Sequence, residues 1–412
     1  MKIDQASPGS SFDDVSAQET QRAPRTFDTS GITATIQRAL ASAGLNTDSG
    51  PMKGVTDTIN QALASAGLRQ RPATPSEHAT VIEGSYREID APFTDSDRAP
   101  AAPAIDIAEP IRGEFVQRSF TNNAGTRTYK LYIPASYSSA ASEPVPIVVM
   151  LHGCTQSPDD FAAGTRMNAL ADRHGFLVIY PAQAANANGQ RCWNWFRPED
   201  QARDSGEPSL IAGITREVAS SYRVDDRRIF VAGMSAGAAM AVILGATYPE
   251  LYAAVGAHSG LPFGAARNVA SAFAAMHGGA ARPGLSRHST VTPANRTASG
   301  WTPTIVFHGD QDHTVDPRNG IAIVDQVTAI DADRERLHAN VHTGTTPRGR
   351  KFSRTVYVDS ANQPVVEHWT VHGAGHAWSG GSPDGSFTDA AGPDASAEMI
   401  RFFFLQRPAG SS

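Results

Sequence analysis

From about residue 113 onward the sequence predicts an α/β fold, a mostly parallel sheet with helices on both faces, preceded by a short helical appendage. Two observations carry this expectation. Strand-like and helix-like segments alternate along the chain, the order that a parallel sheet with crossover helices requires. One strand candidate, Val145–Leu151, is apolar at nearly every position, and a strand buried on both faces has no polar side to show.

The elements follow in order. Residues 1–30 are rich in Ser, Asp, Gln and Thr with few large apolar side chains, which predicts a disordered tail. Residues 31–70 hold an internal repeat: Ile36-Gln-Arg-Ala-Leu-Ala-Ser-Ala-Gly-Leu45 recurs 23 positions later (36 to 59) as Ile59-Asn-Gln-Ala-Leu-Ala-Ser-Ala-Gly-Leu68. Ile32, Ile36 and Leu40, and then Val55, Ile59 and Leu63, fall four apart, as one face of a helix requires. Gly44 and Gly67 supply the stops. Helices this short are marginal alone, so their apolar faces need each other, the main domain or a partner. Residues 71–112 repeat Pro, Ala and Asp without a sustained period and predict a linker.

The remaining residues, 113–407, form the expected α/β domain. Glu114–Ser119 and Arg127–Ile133 predict a leading hairpin around Asn122–Gly125. Val145–Leu151 is a buried strand, Ala162–His174 a helix stopped by Gly175, and Phe176–Tyr180 a strand stopped by Pro181. Ser209–Tyr222 predicts a helix, Arg228–Ala232 a strand and Ala236–Thr247 a small-residue helix. Ala253–Ala257, Thr304–Phe307 and Val365–Val371 are further strands, and a helix over Ala395–Leu405 closes the pattern.

Composition excludes several functions. Net charge is −6 and no long basic block occurs, so a nucleic-acid partner is not expected. No apolar run approaches the roughly 18 residues of a membrane span, and residues 1–25 lack the apolar core of a secretory signal.

The chemistry concentrates after strands. Gly233-Met-Ser235-Ala-Gly237 lies between the strand ending at Ala232 and the helix beginning near Ala236. A sharp strand-to-helix turn exposes a serine hydroxyl, and flanking glycines remove the side chains that would clash. The helix amino terminus then favours negative charge developing nearby. Ser235 is therefore the candidate nucleophile. His152-Gly-Cys-Thr-Gln156 directly follows the buried strand, where a loop can bring backbone N–H groups beside the nucleophile. The N–H groups of Cys154 and Ala236 are the candidate oxyanion donors.

An acid and then a base should follow in chain order. After Thr304–Phe307 comes His308-Gly-Asp310-Gln-Asp312-His-Thr-Val-Asp316. Asp312 is the candidate acid. Asp310 suits a turn-forming role, and Asp316, before Pro317, a cap or loop role. The run is not an EF-hand, because Val315 occupies the position where that loop needs Gly. Of the 13 histidines, His376 follows the last strand in a Gly373-Ala-Gly375 turn that lets it reach over the nucleophile. His368 and His372 border the strand and read as structural. No H-E-x-x-H occurs, so neither a metal site nor a cofactor is expected.

With these motifs in place, residues 112–405 resemble the poly(3-hydroxybutyrate) depolymerase family of esterases, an α/β-hydrolase family. The resemblance rests on His-Gly-Cys-Thr-Gln at 152–156, Cys192-Trp-Asn-Trp-Phe196, Gly233-Met-Ser-Ala-Gly237 and Gly373-Ala-Gly-His-Ala-Trp-Ser-Gly-Gly381, in this order. Its oxyanion loop precedes the nucleophile, as in the type 1 catalytic arrangement. The resemblance implies hydrolysis of short-chain 3-hydroxyalkanoate polyesters or oligomers, with feruloyl or acetyl esters of plant cell walls as the alternative. It also implies a disulfide between Cys154 and Cys192, the two cysteines of the chain; two separate buried thiols are the other reading. Trp193, Trp195 and Trp378 become candidates for lining an acyl pocket, although a tryptophan is more often core.

The chain departs from secreted, polymer-degrading members in two expected respects. It shows no classical signal peptide, and no polymer-binding domain follows the last helix. Soluble oligomers, amorphous granules or small esters thereby gain weight as substrates. Family resemblance and the cysteine pair suggest an extracellular location; the absent signal leaves a granule-associated cytoplasmic one open. A noncatalytic granule-binding protein that uses the repeats is the rival from another class.

Overall fold

The computed structural model describes residues 112–140, 143–279, 302–328 and 337–406. The expected tail, repeat and all but the end of the linker lie outside these residues. The described residues open with a hairpin of β1 (Glu114–Asn122) and β2 (Gly125–Ile133). Its turn is Asn123–Ala124, closed by the Asn122 side chain, which accepts the Ala124 N–H at 2.8 Å.

β3 (Val145–Leu151) leads into α1 (Pro158–Thr165) and α2 (Met167–His174). The sequence predicts one helix here, and the structure breaks it at Arg166, whose φ of 54° is left-handed. The break is held from outside, because the Arg166 guanidinium donates to the Gly380 carbonyl at 2.9 Å. Ser157 caps α1 by accepting the Asp160 N–H, with Pro158 in the first turn.

β4 (Leu177–Pro181), α3 (Gly206–Ser221), β5 (Val224–Met234), α4 (Ala236–Thr247) and β6 (Ala254–His258) follow. The short α5 (Val269–Ala274) comes next, then β7 (Thr304–Gly309) and α6 (Arg318–Thr328). β8 (His338–Thr345), β9 (Lys351–Val358) and β10 (Pro364–Val371) form an antiparallel meander. A small pair, β11 (Trp378–Ser379) and β12 (Thr388–Asp389), precedes α7 (Ala395–Leu405). The sequence reading passed over α5, α6, β8 and β9. β8 is exposed at seven of its eight positions, so it carries no buried apolar alternation to read.

The sheet order is β1-β2-β4-β3-β5-β6-β7-β10-β9-β8. The five central pairings, from β4–β3 through β7–β10, are parallel, and the edges are antiparallel. Successive residues of β3 divide between two cores. Ile147, Val149 and Leu151 pack with residues of α3, α4 and α6, while Val148 and Met150 pack with α1, α2 and α7. Helices thus cover both faces, and β3, β5, β6, β7 and β10 all end at the same sheet edge. In such sheets ligands bind outside the carboxyl ends of the strands.

Candidate active site

Ser235 stands at the turn from β5 into α4 with φ 57° and ψ −121°, a conformation that strains a residue with a Cβ. Its N–H is fixed by the His258 carbonyl at 2.9 Å. Its hydroxyl makes no capping bond to the helix it begins, which leaves the oxygen available to a substrate. The two glycines of the motif answer a packing demand. A Cβ on Gly237 would lie 2.1 Å from the Leu151 carbonyl oxygen, and one on Gly233 2.4 Å from the Gly237 backbone. α4 can begin against the end of β3 only because both are absent.

The loop after β3 lies against Ser235. A Cβ built on Gly153 would sit 3.6 Å from the Cβ of Ser235. Two hydrogen bonds orient this loop. Buried His152 accepts the Gln183 N–H at Nε2 (3.1 Å), so its Nδ1 carries the proton and donates to the Gly153 carbonyl at 2.7 Å. Burial pushes the His152 imidazole down to about 4, which keeps it neutral in this role. A trans peptide places C=O and N–H on opposite sides, so holding the Gly153 carbonyl inward turns the Cys154 N–H outward. The Gly153 N–H itself is taken by the Gln156 side chain at 2.9 Å. Among the described residues, neither the Cys154 nor the Ala236 N–H has an intramolecular acceptor. Two unspent donors therefore flank the serine.

Cys154 is disulfide-bonded to Cys192, and the Thr155 N–H donates to the Gln190 carbonyl at 2.7 Å. The partner segment, Cys192–Phe196, is seated by a buried carboxylate. Glu207 of α3 accepts the backbone N–H and the side-chain N–H of Asn194, both at 2.7 Å. Trp193 and Trp378 correct an expectation. Their exposures are 0% and 1%, so neither can meet a substrate arriving from solvent in this structure. Trp193 instead donates its ring N–H to the His152 carbonyl at 3.1 Å, at the start of the loop after β3. Trp378 donates to the Ser396 hydroxyl and packs edge-on against Phe161. Trp195 is also buried, beside Phe196.

Asp312 and His376 are brought together across 64 residues of sequence, with Oδ2 to Nδ1 at 2.7 Å. Burial alone would raise the Asp312 carboxyl. Hydrogen bonding from His308 and His376, and the Val315 N–H at 2.9 Å, outweigh it and hold the group well below the usual carboxylate range. A buried, ionised Asp312 fixes the proton of His376 on Nδ1 and leaves Nε2 without one. The described residues offer no hydrogen bond to the Ser235 hydroxyl.

Asp310 is more than a turn residue. Its carboxylate meets His372 Nδ1 at 2.9 Å and accepts the Gly373 N–H at 2.7 Å. His372 continues to the Ser353 hydroxyl at 2.8 Å. Sequence reading missed these anchors, and also His152, His258 and His308. All three of those histidines stand at or just beyond a strand's carboxyl end, which was the signal available. Asp316 accepts the Arg318 N–H at the start of α6. No helix among the described residues is long and apolar enough to cross a membrane.

The family model described as esterase PHB depolymerase matches residues 127–344. Poly(3-hydroxyalkanoate) depolymerase C of Paucimonas lemoignei is 32% identical over 259 residues, 63% of this chain and 60% of that protein. A probable acetylxylan esterase A of Aspergillus fumigatus is 30% identical over 229 residues, 53% of this chain and 60% of its own length. The chain thus spans about 60% of the length of these relatives. Among solved structures, an acetyl xylan esterase from Aspergillus awamori aligns with a TM-score of 0.52 at 20% identity, covering 70% of this chain and 99% of that one. That likeness is one of fold.

Proposed function

The chain belongs to the esterase PHB depolymerase family, and we propose that it is a serine esterase acting through Ser235, His376 and Asp312. The observation that carries this reading is the Asp312–His376 bond at 2.7 Å, made at the sheet edge where the turn bearing Ser235 stands. In the proposed reaction the Ser235 oxygen attacks an ester carbonyl while its proton passes to His376 Nε2. Asp312 holds the imidazole and stabilises the imidazolium. The Cys154 and Ala236 N–H groups receive the oxyanion, each worth about 2.7–4 kcal/mol in the transition state. The alcohol leaves with the proton from His376, and water activated by the same imidazole releases the acid. A fluorophosphonate probe should label the native protein and not Ser235→Ala. Undiminished ester hydrolysis by that variant would end the proposal.

For substrate, we propose short-chain polyhydroxyalkanoate esters, because the Paucimonas lemoignei relative that carries that name matches over the longest stretch of the two described. A carbohydrate acetyl or feruloyl ester is the second reading, favoured by the acetylxylan esterase relative. Release from hydroxybutyrate oligomers should exceed release from methyl ferulate; inactivity on the oligomers would reverse the order.

A further inference from the structure

His376 is carried by a loop whose approach, Gly373-Ala-Gly375, has little stiffness of its own. Its amino end is well anchored. Asp310 holds His372 and Gly373, the Gln311 N–H donates to the Ala374 carbonyl at 3.0 Å, and Arg350 donates to the Gly373 carbonyl at 2.9 Å. A loop pinned at one end still swings, so the other end matters equally. There the Ser379 N–H, three residues beyond His376, donates to His258 Nε2 at 2.9 Å.

His258 also touches the nucleophile's side of the site, because its carbonyl accepts the Ser235 N–H at 2.9 Å. One residue thereby joins the nucleophile turn, through its backbone, to the base loop, through its ring. The ring is 1% exposed. It stacks on Phe307 at 5.7 Å and 10°, and on Trp378 at 5.0 Å and 24°. Its Nδ1 lies 3.2 Å from the Ser259 hydroxyl.

We infer that His258 is a positioning residue for the proposed base, its Nε2 acting as the acceptor that fixes the carboxyl end of the His376 loop over Ser235. The inference rests on the proposed roles of Ser235 and His376. It requires an imidazole that is neutral and protonated on Nδ1, since only a bare Nε2 can accept an N–H. Burial first, and then the neighbouring His308 and His376, push the His258 imidazole down to about 3, in keeping with that state. The Ser259 hydroxyl is placed to accept the Nδ1 proton.

Two measurements on the intact protein test it. Long-range proton–nitrogen NMR of the imidazoles should report His258 as the Nδ1–H tautomer; an Nε2–H tautomer would overturn the inference without any variant. Hydrolysis of p-nitrophenyl butyrate by His258→Phe and His258→Gln supplies the second. Phe keeps the stacking and removes the acceptor, whereas the Gln carbonyl can stand near Nε2. Expected is a fall in kcat of about 100-fold for Phe with KM within about twofold, and recovery to within about tenfold of wild type for Gln. Wild-type kcat in His258→Phe, or equal losses in both variants, would overturn it. Activity surviving in Ser235→Ala would instead remove the reading on which the inference rests.

Discussion

At Ser235 the backbone is held at φ 57° by hydrogen bonding from its N–H to His258 and by a turn that two glycines allow. Asp312 carries the electrostatic burden. It is enclosed, ionised and bonded to His376 at 2.7 Å and to the N–H groups of Thr314 and Val315 at 2.9 Å. Replacing it by Asn keeps the shape but supplies an amide where a carboxylate fixes the tautomer. Under the proposed mechanism, Asp312→Asn should lower kcat on a soluble ester by about 10⁴-fold with little change in KM. A loss below about tenfold would show that Asp312 does not orient the base. Asp310, two residues away, makes the same kind of contact with His372. Asp310→Asn should cost far less, about tenfold, because it loosens one anchor of the loop and leaves the Asp312–His376 pair in place.

Between elements, the decisive contact is the end of β3 against the start of α4. A methyl group on Gly237 would fall 2.1 Å from the Leu151 carbonyl oxygen, on backbone that cannot rotate away. Gly237→Ala should therefore destabilise by about 3 kcal/mol or more, read as a lowered urea midpoint. The disulfide works on the same region from the other side. It closes a stretch of 38 residues and ties the loop after β3 to the segment that Glu207 seats. Cys192→Ser should cost about 3–4 kcal/mol in the loop-closure account. It should also lower kcat, because the Cys154 peptide loses one of its constraints. Unchanged kcat with reduced stability would confine the bridge to a structural role.

Across the whole molecule, burial of neutral imidazoles makes acid the expected enemy of the fold. His152 and His258 are pushed down to about 4 and about 3, in each case chiefly by burial. Their folded values lie below the unfolded one near 6.5, so the unfolded chain takes up protons first. Stability should be full above about pH 6.5 and fall as pH drops toward 4, by about 2 kcal/mol per group at pH 5. Thermal melts from pH 7 to 5 should show that slope, and a flat profile would contradict the burial of neutral imidazoles. At this scale the division of information is also clear. Periodicity and turn residues determined the central strands, the helices α3, α4 and α7 and the Ser235 turn, because those patterns are local. The candidates Ser235, Asp312 and His376 were chosen for the same reason: each sits just past a recognisable strand. Tertiary structure decided what depends on partners distant in sequence. It enclosed Trp193 and Trp378, broke a helix at Arg166 through the Gly380 carbonyl, paired Asp310 with His372 and set His258 between two loops. Side-chain burial and hydrogen-bond partnership are properties of the packed sheet edge, and no stretch of chain contains them before that edge assembles.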